Sequence, residues 1–399
     1  MALVGGLGAW LAVAFAPEPV SDWKYYWTAA GAARLYERGG AALSVVGLLK
    51  ATGLPPHLAM LIPNTVAAGT VLWATRAVDP SRGKWLAHLV AAYLLLLAPY
   101  LSLVQLDLMA AAFLAGGVWA IARPAPGRYC PWLVGGAILL VAAAVSTRPQ
   151  LLLVSMVLAL FLTAIWLVQR RDSGPLPVLV PVLLAGALLG FVADSALRAQ
   201  ANRSSAVRTT SAVTLYSGLL VSSTQFPGCG HWSSSATAAM RADLGKPLHV
   251  AVLDRLQSRP LRHWGGVLGC KMSHIVLPRA FAWYWLTSAP NAMPATTQRQ
   301  QRSFHRVVLV EFWLHRGLTL VLYAVALGVA IRSRLPAADR MLPLLWLASF
   351  VVVHMVFEVQ SRYFLAMLLL LPLMSSLGLG APLTARAQPL AALPLAGKG

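Results

Sequence analysis

Residues 150–168 read QLLLVSMVLALFLTAIWLV. These 19 residues include no Asp, Glu, Lys or Arg. At about 1.5 Å per residue, a helix of this length reaches roughly 28 Å, close to the thickness of a bilayer's hydrocarbon core. The run shows neither a single apolar stripe nor strict alternation, so it reads as a helix apolar all round. Arg148 precedes it, and Arg170 and Arg171 follow it. Working outward, similar runs lie near residues 2–16, 56–75, 85–98, 103–122, 132–146, 176–193, 312–331, 341–356 and 363–383. With 149–168 they predict an all-α polytopic membrane protein of about ten transmembrane helices. The start, Met1 to Ala16, lacks a basic leader and a clear cleavage site, so it reads as a retained first span.

Composition agrees. The 399-residue chain is 58% hydrophobic and 11% charged, with a mean hydropathy of +0.68. A soluble domain carries about 25% charged residues. The apolar content excludes disorder, and no short alternating segments suggest a transmembrane barrel.

The charge is lopsided: 32 Lys+Arg stand against 12 Asp+Glu. With the N-terminus in the cytoplasm, the inner loops carry Arg76, Arg82 and Lys84, then Arg123 and Arg128, then Arg170 and Arg171, then Arg332, Arg334 and Arg340. That alternation follows the positive-inside rule. Two outer segments exceed a turn, 17–55 and 194–311. The second holds 13 Lys+Arg but only Asp194, Asp243, Asp254 and Glu311. Long translocated loops escape the positive-inside rule, so this basic loop asks for an anionic partner such as a lipid phosphate. A merely soluble loop is the plainer alternative. The chain divides into a module 1–193 with its first outer loop 17–55, a loop domain 194–311, and a C-terminal module and tail 312–399. Cys229 and Cys270 share the outer loop, where a disulfide is permitted but not required. No CxxC or His/Cys metal spacing appears, so a zinc site is unsupported and no metal ligand set is assigned.

Acids are scarce enough to weigh singly. Asp79, Asp172 and Asp339 sit beside inner-loop arginines. Asp22, Asp107 and Glu358 are harder to dismiss, because an ionisable group at a helix centre costs about 2.5–3.5 kcal/mol on insertion scales. Asp22 follows the first span in VSDWKYYW, where it serves equally as a helix cap or as a functional acid. Asp107 and Arg148 are candidates for an ion pair. Glu358 and Arg362 are four apart and form either a helix-surface pair or part of a site. The topology brings all five to one face. Such a set suits sugar transfer from a lipid phosphate, with Asp22 as base and Arg148, Lys271 and Arg362 as phosphate binders.

The order of motifs resembles GT-C glycosyltransferases, the superfamily of protein O-mannosyltransferases and lipid A aminoarabinose transferases. Asp22-x-x-x-Tyr26-x-x-Ala29 resembles their first outer loop, and Thr147-Arg148-Pro149-Gln150 their K/R-P-Q turn. The stretches Leu215–Gly218, Cys229–Trp232, Ser258–Pro260 and Lys271, ahead of Trp283–Trp285, resemble their outer loop. Glu358-Val-Gln-Ser-Arg362-Tyr363 resembles their E-x-Q-x-R-Y junction. The resemblance implies an inverting transferase of the bacterial inner membrane with an extracytoplasmic site. It implies a polyprenyl-phosphate-linked sugar as donor and an envelope glycan, lipid or protein as acceptor, without nucleic acid. Asp22 is then catalytic, and Tyr26, Asp107, Arg148, Lys271, Glu358, Arg362 and Tyr363 bind substrate. A divalent metal is the one cofactor the resemblance brings, and the single acid at Asp22 departs from the acidic pair that would hold it. Two other readings stand beside it. An O-antigen ligase or polymerase-like enzyme would use His231, His249, His263, His274 and His305 of the loop. A lipid-phosphate transporter would place its charges at mid-bilayer, between repeats.

Overall fold

The computed structural model describes all residues except 18–21, 30–39, 79–82, 123–129, 170–175, 202–209, 225–228, 278–281, 283–297, 334–336 and 380–399. Among the described residues it is all-helical, with no strand. The helices are α1 (Ala2–Phe15), α2 (Asp22–Ala29), α3 (Gly40–Lys50), α4 (Pro56–Val78), α5 (Gly83–Leu96), α6 (Asp107–Ala122), α7 (Pro131–Thr147), α8 (Gln150–Gln169) and α9 (Leu176–Ala201). Then come α10 (Thr210–Leu215), α11 (Ser234–Ala242), α12 (Leu248–Gln257), α13 (Leu261–Val276), α14 (Gln298–Arg332), α15 (Ala337–Val356) and α16 (Leu365–Leu379).

Among the described residues, five helices are long and apolar enough to cross a membrane: Pro56–Val78, Gln150–Val168, Val178–Leu197, Arg306–Arg332 and Asp339–Val356. The other five segments expected to span fall on shorter apolar helices, in α1, α5, α6, α7 and 362–377. A helix of 14 residues, such as α1 or α5, is about 21 Å long and needs thinned lipid to cross. The run at 103–122 is cut short because a 3-10 turn at Ala98–Ser102 and an irregular stretch precede Asp107. Apolar side chains also cover much of the outside. Leu160, Leu167, Val168, Leu188, Val192, Leu314 and Ile331 are all exposed on α8, α9 and α14. A continuous apolar exterior of this kind fits lipid rather than water.

The centre of the bundle is α16. Leu365 to Met374 are almost all fully buried, packed by α4, α5, α6, α14 and α15. A helix that is apolar on every side can be buried on every side. Beside it, α7 packs on α6 and α9. The α7–α9 contact is close because Gly186 and Gly190 face it, four apart. A Cβ on Gly186 would stand 2.6 Å from the Val141 side chain, and one on Gly190 2.6 Å from the Ala142 carbonyl. Small residues at this spacing let helix backbones touch in membranes.

The long loop folds into α10 to α13 around its own small core of Ala212, Tyr216, Leu220, Ala236 and Met240. Its edges differ from the expected 194–311, since α9 runs on to Ala201 and α14 already begins at Gln298. The arginines expected in inner loops at 82, 123, 128, 170, 171 and 334, and the tail, lie outside the described residues.

Candidate functional site

Asp107 opens α6 and Arg148 caps the end of α7. Both are buried, and the guanidinium pairs with the carboxylate. The same carboxylate accepts a hydrogen bond from the Tyr100 hydroxyl, and Arg148 also donates to the Gln105 amide oxygen. The chain makes this possible by breaking its helix at Ala98–Ser102. Tyr100 and Gln105 can then turn towards the first residue of α6. Two buried donors in the cluster, Arg148 Nε and Gln105 Nε2, have no hydrogen-bond partner among the described residues. Buried donors are rarely left so, and two together call for an acceptor that the described residues do not supply.

Two further elements reach this cluster. Tyr26 on α2 and Arg362 in the turn Ser361–Phe364 both lie within electrostatic range of Arg148. Tyr26, Tyr100, Asp107, Arg148 and Arg362 therefore converge from four segments far apart in the chain. Asp22 is the first residue of α2, one turn ahead of Tyr26, and its side chain lies outside the described residues. Tyr363 stacks on His354 at 5.6 Å, and the Arg362 guanidinium sits 5.3 Å from the Tyr363 ring centre.

Glu358 and Lys271 form a neighbouring group. Glu358 is buried, takes a hydrogen bond from the Gln360 amide, and its backbone carbonyl meets His354 Nδ1 at 2.9 Å. The break at 357–360 separates Glu358 from Arg362, so they are not the surface pair of one continuous helix. Lys271, on α13, is fully buried. Its ammonium donates to three backbone carbonyls, Gly218 at 2.7 Å, Met355 at 2.8 Å and Phe357 at 2.9 Å. An ammonium has three protons, and all three are spent. The expected phosphate binder is thus a tether between the loop and the 354–363 junction. Burial pushes its ammonium down, to about 7, and the Glu358 carboxylate opposes that.

The loop meets the junction elsewhere too. Val359 N donates to the Gly230 carbonyl at 2.6 Å. Gly218 lies so close that an added Cβ would stand 2.2 Å from the Phe357 carbonyl carbon. Cys229 and Cys270 are joined by a disulfide, their Cα atoms 5.9 Å apart. Tyr216, Asp243 and Arg255 brace the loop from within: the Asp243 carboxylate accepts from the Tyr216 hydroxyl at 2.9 Å and from Arg255 Nε at 2.6 Å. The bond from Arg255 holds the Asp243 carboxyl below its ordinary range, and burial raises the Tyr216 hydroxyl.

An apolar cavity of about 540 Å³ opens between α4, α6 and α7, lined by Pro63, Trp73, Met109, Phe113, Trp119 and Trp132 among others. Trp73 and Trp132 are exposed, and none of the Asp107 cluster lines it. As for a metal, Asp107 is engaged by Arg148 and Tyr100, and Glu358 by Gln360. Among the described residues no set of carboxylates gathers here to hold a hard divalent ion.

Sequence reasoning missed Tyr100 and Gln105. Gln105 carried a usable signal, a lone amide inside an apolar run two residues before Asp107. Trp283, Tyr284 and Trp285 lie outside the described residues. No family model, no curated protein and no solved structure matches the chain.

Proposed function

We propose that the chain is a membrane glycosyltransferase of about ten crossings that moves a sugar from a polyprenyl-phosphate donor to an acceptor hydroxyl on the extracytoplasmic face. The observation that carries this reading is the pair of buried, unpartnered donors at Arg148 and Gln105, beside the Asp107 carboxylate and within range of Arg362. A phosphate oxygen is the acceptor such donors suit, and arginine is the side chain best matched to it.

In this reading the acceptor hydroxyl attacks the anomeric carbon from the face opposite the phosphate. Asp22 takes the hydroxyl proton as the new C–O bond forms. The bond from the anomeric carbon to the phosphate oxygen breaks, and the lipid phosphate leaves with the electron pair. Arg148 and Arg362 stabilise the charge it gains. Asp107, Tyr100 and Gln105 hold Arg148 in position. Lys271 leaves the set of phosphate binders and becomes a positioning residue for the junction.

The test is mass spectrometry of the envelope lipids and glycans of a host strain lacking this chain. One glycosyl unit of fixed mass is expected to disappear. It should return with the wild-type chain and not with Asp22→Asn. An unchanged envelope counts against a transferase. Full rescue by Asp22→Asn moves the assignment to a ligase-like enzyme driven by the loop histidines.

A further inference from the structure

The disulfide Cys229–Cys270 has two histidines beside it. Cys229-Gly230-His231 lies against α13, where Cys270 and His274 are one turn apart and share a face. The two sulfurs and a ring nitrogen of His274 all lie within 4.8 Å of one another. The His231 ring stands edge to face with His274 at 5.0 Å. Cys229 is buried, and Cys270 and His274 are half-buried. Gly230, at φ 82°, allows the chain to turn between Cys229 and His231.

We propose that Cys229, Cys270 and His274, with His231 as fourth ligand, form a site for a zinc-class divalent cation when the disulfide is reduced. Two thiolates and two imidazoles are a donor set that selects Zn²⁺ over Mg²⁺ or Ca²⁺. The chemistry balances. A dithiol gives two electrons to the S–S bond and becomes a disulfide itself, leaving two thiols here. The metal then displaces one proton from each thiol. Disulfide and metal exclude one another, because each uses both sulfurs.

Either link clamps the same two strands of chain. Cys270 is next to the tether Lys271, and Cys229 is next to Gly230, which holds Val359. The inference does not depend on the glycosyltransferase reading. Earlier, the absence of a CxxC pattern argued against zinc. The ligands instead come as Cys-x-His and Cys-x-x-x-His.

The test uses full-length chain in detergent carrying Cys130→Ser, which removes the one exposed free thiol. The protein is reduced with a dithiol, the reductant is removed, and Co²⁺ is titrated in. One equivalent should bind, with a thiolate-to-cobalt charge-transfer band in the near ultraviolet and tetrahedral bands in the visible. One equivalent of Zn²⁺ should bleach both. The oxidised protein should show neither. His274→Ala should weaken Co²⁺ binding by about tenfold or more with its helical circular dichroism intact. No charge-transfer band in the reduced chain overturns the proposal, whether or not the chain keeps its helices. So does a band whose affinity His274→Ala leaves unchanged.

Discussion

Arg148 and Lys271 are both buried cations, yet their surroundings differ in kind. Arg148 faces a carboxylate, an amide and a phenol, and retains a donor with no partner among the described residues. Lys271 faces three backbone carbonyls and retains none. Burial and charge alone do not mark a binding residue. What separates the two is whether donor capacity is left over. Arg148 is built to meet something more, and Lys271 is built to hold two parts of the chain together.

The comparison breaks first at Arg148. Arg148→Lys keeps the charge and removes the fork, so glycosyl transfer should fall by about 100-fold. A rate near wild type, measured in membranes, would show the spare donor to be idle. Next is Lys271→Met, which strips three buried carbonyls of their donor. It should cost about 3 kcal/mol of stability, seen as a lower Tm in detergent, because unsatisfied buried groups cost about 1–3 kcal/mol apiece and do not add fully. Its activity per folded molecule should fall much less than that of Arg148→Lys. Gly218→Ala should be milder, about 1–3 kcal/mol, because the Phe357 backbone must give way to the new methyl group. An unchanged Tm would mean the loop does not rest on the junction there.

The smallest effect concerns pH and Asp243. Its folded carboxyl titrates below its ordinary value of 3.8, because Arg255 hydrogen-bonds to it. The stability it contributes is present above that ordinary value and is lost as pH falls through the lower folded value. Asp243→Asn should flatten the acid limb of a Tm–pH profile below about pH 4 and leave neutral-pH transfer intact. A profile identical to wild type would show the loop core to be indifferent to this pair.

The helical class and the apolar exterior were legible because they follow from composition and run length, as at 150–168. The Asp107–Arg148 pairing was legible as one option, since acids are rare and these two fall at helix ends on one face. Lys271 was not. Its partners at 218, 355 and 357 are backbone carbonyls, which every residue carries, so no side-chain pattern announces them. Helix lengths were overestimated where apolar character outlasts the helix. Leu103, Val104 and Leu106 continue the hydrophobic run while the backbone there is not helical. The Asp243–Arg255 brace went unread because a loop charge has many candidate partners in sequence and only one in space.

The touching backbones at Gly186 and Gly190 have a mechanical consequence. With no side chain between them, α7 and α9 meet backbone to backbone, so a side chain added at either glycine must push the two helices apart. Arg148 sits at the end of α7, and the spacing of this helix pair therefore bears on where its guanidinium stands.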